Sequence, residues 1–289
     1  MLTQSIINNF LIEQELNKIR NSIRTRGIYW PSEASLIINN MAYGSCLREL
    51  FYKIKKISIS NPPTLESIRR MKYGKLVELG EIEIAAKLGI LAICNFSFLA
   101  PIDGTKLQIS GKLDSIYKIN ESFIGIEYKS GSGYMFNAKI FGTASKVPEP
   151  RLPHLFQVMI YLWALKNNPQ YSLSKFSLIY LDRGIGKDQE FLIEMADLKY
   201  PVINGAIRHD ISITNIFARY QKLDEFIENN ILPPGDYVSS YSKDLLEIKH
   251  SEGLINKSVY NNFWKYGHAQ DNECSYCLWS DRCRRDNKI

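Results

Sequence analysis

Apolar residues recur at helical spacing, or in longer apolar runs, in five stretches of the chain. These stretches predict helices over residues 4–26, 46–56, 64–88, 155–165 and 203–229. The segment Asn61-Pro62-Pro63-Thr64 precedes the third helix and supplies its capping signal, and Gly89 supplies its stop signal. The sequence therefore predicts both ends of the third helix.

The pattern between the third and fourth helices changes to short runs rich in β-branched and aromatic residues. These runs predict strands over 90–99, 107–119 and 122–129, and two more strands follow over 175–181 and 190–195. Asp103-Gly104 and Asn120-Glu121 supply turn chemistry between the first three strands. A loop rich in Gly and Pro is predicted over 130–153, and a polar tail follows Pro233-Pro234-Gly235. The order predicts an α/β fold with a mixed central sheet flanked by helices.

The chain has 289 residues, of which 45% are hydrophobic, and this is enough for one large domain. We expect a single domain over 1–289, with a core at about 62–195, N-terminal helices over 1–60, and a C-terminal helix and tail over 200–289. The formal net charge is +6. This excess is compatible with a polyanionic partner, but many ordinary proteins carry as much.

The sequence contains no apolar run long enough to span a bilayer. The N-terminal segment has acids and amides among its apolar residues, which is typical of an amphipathic helix and not of a secretory signal. We therefore expect a cytoplasmic protein without a membrane partner. Its five cysteines are an odd number, and in a reducing compartment clustered cysteines indicate a metal site before a disulfide framework.

Two acidic motifs follow one another in the strand region: Gly111-Lys112-Leu113-Asp114 and Ile126-Glu127-Tyr128-Lys129. Side chains alternate along a strand, so Glu127 and Lys129 share one face. Asp114 is expected near the middle of the preceding strand, and a hairpin across Asn120 would bring it close to Glu127. Two carboxylates with a backbone carbonyl suit Mg²⁺ or Mn²⁺, and a lysine beside them can orient or deprotonate water. The alternative is an exposed strand face on which acid and lysine simply alternate.

Three further side chains are candidates for the same site. Gln157 and Tyr161 lie four residues apart on the apolar helix, so one lies above the other. Glu78, on the long helix, is a candidate third carboxylate for the metal. The alternatives are a surface glutamine, a core tyrosine and a solvated glutamate.

The order G-x-x-D, E-x-K and Q-x-x-x-Y resembles the RecB-like branch of the PD-(D/E)XK nuclease superfamily, over about residues 43–165 and the cysteine tail. The resemblance implies a restriction-endonuclease-like core of the order αβββαβ. It implies metal binding by Asp114 and Glu127, catalysis by Lys129, and an active-site or DNA-positioning role for Gln157 and Tyr161. That family often carries G-x-x-x-H on the first core helix, whereas the same spacing from Gly74 leads here to Glu78.

The cysteines near the C-terminus have the spacing Cys274-x2-Cys277-x5-Cys283. Cys46 is the best candidate for a fourth ligand, because Cys94 lies in an apolar strand and is expected to be a small buried hydrophobe. Ligation by thiolates alone suits either Zn²⁺ or an iron–sulfur cluster, and the spacing leaves both open.

The family resemblance favours the cluster over zinc. RecB-like iron–sulfur nucleases use one cysteine before the nuclease core and three after it, which is the layout here. The resemblance thus implies a [4Fe–4S] cluster held by Cys46, Cys274, Cys277 and Cys283. We expect this cluster to fasten the C-terminal tail to the segment around Cys46 and to have no redox role in cleavage.

Basic residues interleaved with aromatic ones occur at Arg69-Arg70-Met71-Lys72-Tyr73, where they could hold phosphates and stack bases or form a solvated helix face. The resemblance as a whole implies a metal-dependent DNA exonuclease acting on single strands or DNA ends. It would serve recombination, repair, phage DNA metabolism or CRISPR adaptation, with a helicase, recombinase or CRISPR-adaptation partner. The alternatives are a catalytically weak or inactive DNA-binding or assembly protein, and a site-specific endonuclease.

Overall fold

The computed structural model describes residues 2–20, 25–253, 255 and 257–287. The helices in these ranges are α1 (Leu2–Arg20), α2 (Leu47–Ile54), α3 (Leu65–Lys87), α4 (Tyr134–Ile140), α5 (Leu152–Leu165), α6 (Ile213–Glu228), α7 (Lys243–Ser251), α8 (Lys257–Tyr266), α9 (Asn272–Ser275) and α10 (Ser280–Asp286). The strands are β1 (Ile28–Tyr29), β2 (Ser35–Ile38), β3 (Met41–Gly44), β4 (Leu91–Cys94), β5 (Ser97–Pro101), β6 (Gln108–Lys112), β7 (Ser115–Ile119), β8 (Ser122–Gly131), β9 (Lys175–Asp182), β10 (Asp188–Ala196), β11 (Tyr200–Ile203) and β12 (Ala206–Ile207). No helix in the described ranges is long and apolar enough to cross a membrane.

The chain divides into two compact units. The first, called the sheet unit below, comprises 27–38 and 69–221, and the second, called the cysteine unit, comprises 1–26, 39–68 and 222–289. The sheet unit contains a seven-stranded sheet in the order β12-β11-β10-β9-β8-β7-β4 and a three-stranded sheet in the order β1-β6-β5.

The seven-stranded sheet is mixed, as predicted. Strands β8 and β9 run parallel and the other neighbours run antiparallel. Parallel neighbours need a crossover, and α5 supplies it. Along the chain, α3, β4, β7, β8, α5 and β9 form the predicted αβββαβ order, with β5 and β6 inserted between β4 and β7.

Helices cover both faces of this sheet. Ala85 of α3 packs with Tyr117 and Ile126 on one face. On the other face, Tyr161 of α5 stacks on Phe176 of β9, with ring centroids 5.6 Å apart. Burial of these apolar faces is the main favourable contribution to folding of the sheet unit.

The predicted turn signals are confirmed at two places. Gly89 follows α3 with φ +71°, a left-handed conformation that a glycine adopts without strain. Asn120 and Glu121, with φ of 47° and 65°, join β7 to β8, where Ile119 pairs with Ser122. Two consecutive positive φ values are those of a tight hairpin turn, so the hairpin across Asn120 is present.

Two predicted strands are wrong as continuous strands. The run 90–99 divides into β4 and β5, and the run 107–119 divides into β6 and β7, with each half in a different sheet. The two chain segments bend together, since Asn95 N donates to Asp114 O and Leu113 N donates to Phe96 O. Asp114 therefore lies in a bend between strands and not in the middle of one.

Other element predictions need correction in the same way. The predicted loop 130–153 contains α4, and the predicted helix 203–229 begins as β12 and becomes helical only at Ile213. Asn204 and Gly205 have positive φ and form the β11–β12 turn, which a helix cannot contain. The predicted polar tail carries α7 to α10. The first helix ends at Arg20, and residues 21–24 of its predicted range lie outside the described residues.

The cysteine unit is held together by contacts between chain segments that are distant in sequence. Trp279, which is buried, donates from its indole nitrogen to Ile57 O over 2.9 Å. Tyr52 donates to Asp286 over 2.6 Å, and Leu47 N donates to Asp236 over 2.7 Å. These hydrogen bonds connect the segment before the nuclease motifs to the segment after them.

Candidate active site

Glu127 and Lys129 lie two residues apart on β8 and point to the same face of the sheet, as the alternation predicts. Lys129 Nζ lies 2.7 Å from Glu127 Oε1. The Glu127 residue is only 4% exposed, which excludes the alternative of two charges alternating on an open strand face. Burying a charge costs free energy unless it is paired, and Lys129 supplies that partner here.

Asp114 reaches the same place from the bend between β6 and β7. Its Oδ2 accepts a hydrogen bond from the backbone N of Tyr128, at 3.0 Å, so its carboxylate is fixed directly beside Glu127 and Lys129 on β8. Burial, and then the negative charges of Glu127 and Glu78, raise the pKa of Asp114 to about 8. Three acidic side chains therefore converge in a poorly solvated place.

Glu78 lies on α3 and is buried, so it is not the solvated helix glutamate of the alternative interpretation. Its carboxylate forms an ion pair with Lys75, one turn earlier on the same helix. Its charge acts on both Asp114 and Lys129. The structure thus brings Glu78 near the two carboxylates of the strand region.

Gln157 and Tyr161 join α5 to the acidic residues. Gln157 Nε2 donates to Glu127 Oε1 over 2.8 Å and to the Tyr161 hydroxyl over 2.7 Å, and its Oε1 accepts from Lys129 over 3.2 Å. The Tyr161 hydroxyl in turn donates to Lys112 O over 2.9 Å. Gln157 is buried and uses both ends of its amide, so the alternative of a surface glutamine is wrong.

The position of Tyr161 depends on a glycine in the G-x-x-D motif. The Tyr161 ring lies edge-on to Phe98 of β5, with centroids 5.9 Å apart. Phe98 pairs with Gly111 of β6, and its ring occupies the space that a Cβ atom on Gly111 would need. Gly111 is therefore required for close packing and not for a special backbone conformation.

The charge of Lys129 is set by two opposing effects. Burial lowers the pKa of its ammonium group, but the carboxylates of Glu127, Asp114 and Glu78 act against burial and raise the pKa above its ordinary value. Lys129 is thus a cation at neutral pH. It is also partly open, since its side chain is 24% exposed, and a ligand can reach it.

The donor set fits a hard divalent cation. Glu127 Oε2 is buried and has no hydrogen-bond partner among the described residues, which leaves it available as a ligand. Asp114 beside it supplies a second carboxylate, and carboxylate oxygens are the ligands that Mg²⁺ and Mn²⁺ prefer. No group of three or more His, Cys, Asp or Glu side chains in the described part of the chain has the arrangement of a complete metal site. The assignment of a divalent cation to this site therefore rests on the carboxylate oxygens of Glu127 and Asp114 alone.

The four predicted cysteine ligands lie together in the cysteine unit. Cys46, Cys274, Cys277 and Cys283 line one cavity of about 250 Å³. Burial, followed by neighbouring negative charges, raises the pKa of Cys277 to about 12, and it also raises that of Cys274. Burial thus favours the neutral thiols, and the cysteines in the described part of the chain do not have the arrangement of a complete metal site.

Hydrogen-bond donors surround these sulfur atoms. The backbone N of Asp236 lies 3.4 Å from Cys46 Sγ, and the backbone N of Trp279 lies 3.4 Å from Cys277 Sγ. Arg48 Nη1 lies 3.5 Å from Cys283 Sγ. Such donors stabilise negative charge on thiolates that ligate a metal.

Cys94 differs from the sequence-based expectation. It does not line the cysteine cavity, which agrees with its exclusion as a ligand. It is exposed at the end of β4, however, so the expectation of a small buried hydrophobe is wrong. The apolar run that suggested burial lies where β4 forms the edge of the large sheet.

Two side chains near the site were not singled out as site residues by the sequence. His154 Nδ1 lies 2.9 Å from the Tyr180 hydroxyl, and its pKa is lowered by burial and then by the positive charge of Lys129. Arg183, in the turn after β9, donates to the backbone O of Arg70 over 3.0 Å. His154 lies one turn before Gln157 on α5, and this spacing is the sequence signal for its position. No sequence pattern connects Arg183 to Arg70.

Comparisons with known proteins identify the family and the fold. The sequence profile of the PD-(D/E)XK nuclease superfamily matches residues 62–284. The solved structure titled "Crystal structure of SSO0001" superposes with a TM-score of 0.51 at 16% identity, covering 97% of each chain, which shows a shared fold. No curated protein sequence matches the chain significantly. Since the profile spans most of the chain, including every acidic and lysine residue of the site, the protein belongs to the PD-(D/E)XK nuclease superfamily.

Proposed function

We propose that the protein is a Mg²⁺- or Mn²⁺-dependent deoxyribonuclease that cleaves phosphodiester bonds as an exonuclease on single strands or DNA ends. One observation carries this proposal above all. Lys129 Nζ contacts both Glu127 and Gln157, while Glu127 keeps a second, unpaired oxygen buried beside Asp114. A cation site and a positioned ammonium group thus lie side by side.

Each residue has a separate task in this proposal. Asp114 and Glu127 hold the cation, and Glu78 adds negative charge or a third ligand. The bound cation would lower the pKa of a ligated water and neutralise charge on the phosphate. Lys129, as an ammonium group, orients the attacking water and stabilises the charge that develops on the phosphate oxygens. Gln157 fixes Glu127 and Lys129, and Tyr161 fixes Gln157.

The preference for DNA ends rests on the resemblance of the motif order to the RecB-like branch. That resemblance also supports a role in recombination, repair, phage DNA metabolism or CRISPR adaptation, with a helicase, recombinase or CRISPR-adaptation partner. The net charge of +6 agrees with a nucleic-acid substrate.

We also propose a [4Fe–4S] cluster ligated by Cys46, Cys274, Cys277 and Cys283. All four of these cysteines line one cavity, and the resemblance of their layout to the RecB-like iron–sulfur nucleases supports a cluster over a single zinc ion. The cluster would supply folding free energy to the cysteine unit, because its ligands come from both ends of the chain.

The nuclease proposal is tested by digestion of end-labelled DNA. Single-stranded, linear duplex and circular DNA are incubated with Mg²⁺, Mn²⁺ or EDTA, with Lys129→Ala as the matched inactive variant. We expect mononucleotides or short products from linear substrates with metal, and intact circles. Cleavage of circular DNA would replace the exonuclease by an endonuclease, and activity in EDTA would reject the metal mechanism.

A second candidate function follows from the ion pair between Glu78 and Lys75. This pair lies at the position where the family often has a histidine, and it reduces the capacity of Glu78 to bind a cation. A DNA-binding or assembly protein with little or no nuclease activity would bind the same substrates and leave them uncut. Lys75→Ala, which frees Glu78, should then leave the protein inactive, whereas a nuclease should keep or gain activity.

A further inference from the structure

A second cavity in the sheet unit lies along α3, on the segment of the helix that precedes Glu78. Its volume is about 550 Å³, within the range of cavities that bind ligands of nucleotide size. Its lining residues include Arg70, Tyr73, Leu76, Val77, Ser132 and Arg183. The described lining combines two guanidinium groups and an aromatic ring with no carboxylate, so it is positively charged and complementary to an anion.

Helix geometry places this cavity close to the acidic site. Arg70, Tyr73 and Val77 are three and four residues apart and share one face of α3. Glu78 follows Val77 directly, and it lies five residues, or about 7.5 Å along the helix axis, beyond Tyr73. Five residues also turn about 140° around the helix, so α3 carries residues of both sites within two turns, on different faces.

The segments that follow strands β8 and β9 supply the opposite wall of the cavity. Strands β8 and β9 run parallel with Gly131 opposite Asp182, so Ser132 and Arg183 follow their carboxyl ends side by side. Lys129 lies on β8, three residues before Ser132, which directly follows the strand. The site around Lys129 and this cavity are therefore consecutive along both α3 and β8.

The guanidinium group of Arg183 is held in the cavity wall. Its Nη1 donates to Arg70 O, while its Nε is buried and has no hydrogen-bond partner among the described residues. The preceding carboxylate, Asp182, accepts from the backbone N of Gly184 over 2.6 Å and so belongs to the turn. An anion placed beside the Arg183 guanidinium would be bound by charge-assisted hydrogen bonds.

Tyr73 supplies the remaining element of the cavity. Its side chain is 57% exposed, and Leu76 beside it is 63% exposed. An open aromatic ring next to a phosphate-sized positive site is the combination with which proteins bind single-stranded nucleic acids.

We infer that this cavity binds the nucleotide adjacent to the scissile phosphate of a single-stranded DNA, with its base stacked on Tyr73 and its phosphate beside Arg183. This inference rests on the proposed function, because only a nuclease has a scissile phosphate. Its stacking and charge components can be measured without cleavage.

The test uses short oligothymidylates that carry one 2-aminopurine at the first, second or third nucleotide from the end. Binding is measured in the Lys129→Ala background, so that the strand stays intact. We expect fluorescence quenching at one position. Tyr73→Leu should remove this quenching and weaken binding about tenfold, whereas Tyr73→Phe should keep both. Tyr266→Leu is the matched control, because Tyr266 is equally exposed, at 57%, on α8.

Two further arms separate stacking from general charge. An abasic nucleotide at the quenched position should weaken binding as much as Tyr73→Leu does, and the two changes together should cost no more than either alone. Arg183→Gln should lower the slope of log affinity against log salt by about 0.7, as expected for one phosphate contact on a single strand. Lys166→Gln removes one exposed charge elsewhere in the sheet unit and should lower it less.

The outcomes distinguish this inference from the proposed function. Quenching lost in Tyr73→Leu but no cleavage of any DNA by the wild-type protein would support the cavity and reject the nuclease. Cleavage by the wild-type protein with unchanged quenching and affinity in Tyr73→Leu would overturn the cavity and leave the nuclease standing. A loss shared by Tyr73→Phe would also overturn it, because the hydroxyl and not the ring would then bind the substrate.

Discussion

Gln157 Nε2 donates a hydrogen bond to Glu127 Oε1 over 2.8 Å, so a residue of α5 determines the orientation of a carboxylate on β8. The same amide accepts from Lys129. Gln157 therefore couples the proposed metal ligand to the proposed catalytic lysine, and substitution of this amide should disturb both without removing either.

Gln157→Ala should lower kcat on single-stranded DNA by about 10- to 100-fold, the usual cost of losing a residue that orients metal ligands. Gln157 orients the proposed metal ligand Glu127, so its loss should also weaken Mg²⁺ binding. Half-maximal activity should then need a higher Mg²⁺ concentration. Steady-state kinetics at several metal concentrations measure both effects, with exposed Gln170→Ala as control. A variant with wild-type kcat and metal dependence would remove Gln157 from the site.

Lys129→Ala should lower cleavage by at least about 100-fold, the cost of removing one preorganised charge from a developing anion. Binding of DNA should change much less, because the interaction is used mainly in the transition state. Lys118→Ala removes an exposed lysine from the neighbouring strand β7 and serves as control. Equal losses in kcat for both variants would point to general electrostatics in place of a specific role.

Gly111→Ala should destabilise the protein by about 1–3 kcal/mol, because the new methyl group would overlap the Phe98 ring. Displacement of Phe98 should also disturb Tyr161, so activity should fall with stability. Gly80→Ala on α3 is the matched control: a Cβ there meets no atom within 4 Å, and stability should be equal or higher. Phe98→Leu in the Gly111→Ala background should recover part of the loss, and thermal denaturation of the four proteins measures it.

Some of these relationships could be predicted from sequence and others could not. The shared face of Glu127 and Lys129 follows from strand alternation, and the Asn120 hairpin follows from local turn chemistry. Both depend on residues that are close in sequence. The run 107–119 is continuously strand-like, so the sequence predicts Asp114 in the middle of a strand. The bend observed there depends on hydrogen bonds to Asn95 and Phe96, which lie in another run.

Contacts between distant segments could not be predicted either, because no local sequence pattern marks the two partners. Arg183 meets Arg70 across 113 residues of sequence, and nothing local marks either as half of a pair. The exposed position of Cys94 depends on β4 being an edge strand, which is a property of sheet order and not of the run itself. Cys46 could be grouped with the three C-terminal cysteines only by elimination of Cys94 and by the family layout, since no local pattern connects it to them; it does line the same cavity.

Metal-free protein should lose stability as the pH rises from about 4 towards 8. The pKa of Asp114 in the folded protein is raised from 3.8 to about 8, so folding favours the protonated form. The stabilising contribution is present below the unfolded pKa and is lost as the pH passes the folded pKa. Mg²⁺ should restore stability most at pH 8, where the carboxylate is ionised.

Thermal denaturation in EDTA and in Mg²⁺, at pH 5.5 and pH 8, checks this prediction. Asp114→Asn cannot titrate at this position, so the difference between wild-type and variant isolates Asp114 from all other groups. The variant should show a weaker pH dependence and little stabilisation by Mg²⁺, and it should not cleave DNA. Identical pH dependence in both proteins would show that Asp114 ionises normally.

The last prediction concerns the cluster proposed for the cysteine cavity, and the colour of the purified protein checks it. Protein purified without oxygen should be brown, with about four iron atoms per chain, as expected for a cluster on four cysteines. Cys46→Ser should bleach it as effectively as Cys277→Ser, since both line the cavity, and it should lower the melting temperature.

Cys94→Ser is the matched control, because Cys94 is exposed and does not line the cavity, so neither colour nor stability should change. Colourless protein with one zinc ion per chain would keep the structural role of the four thiols and reject the cluster. Colour that is lost in Cys94→Ser and kept in Cys46→Ser would contradict the assignment of the fourth ligand. If the protein binds neither iron nor zinc, the four thiols are free cysteines. Only the nuclease motifs in the sheet unit would then support the family resemblance.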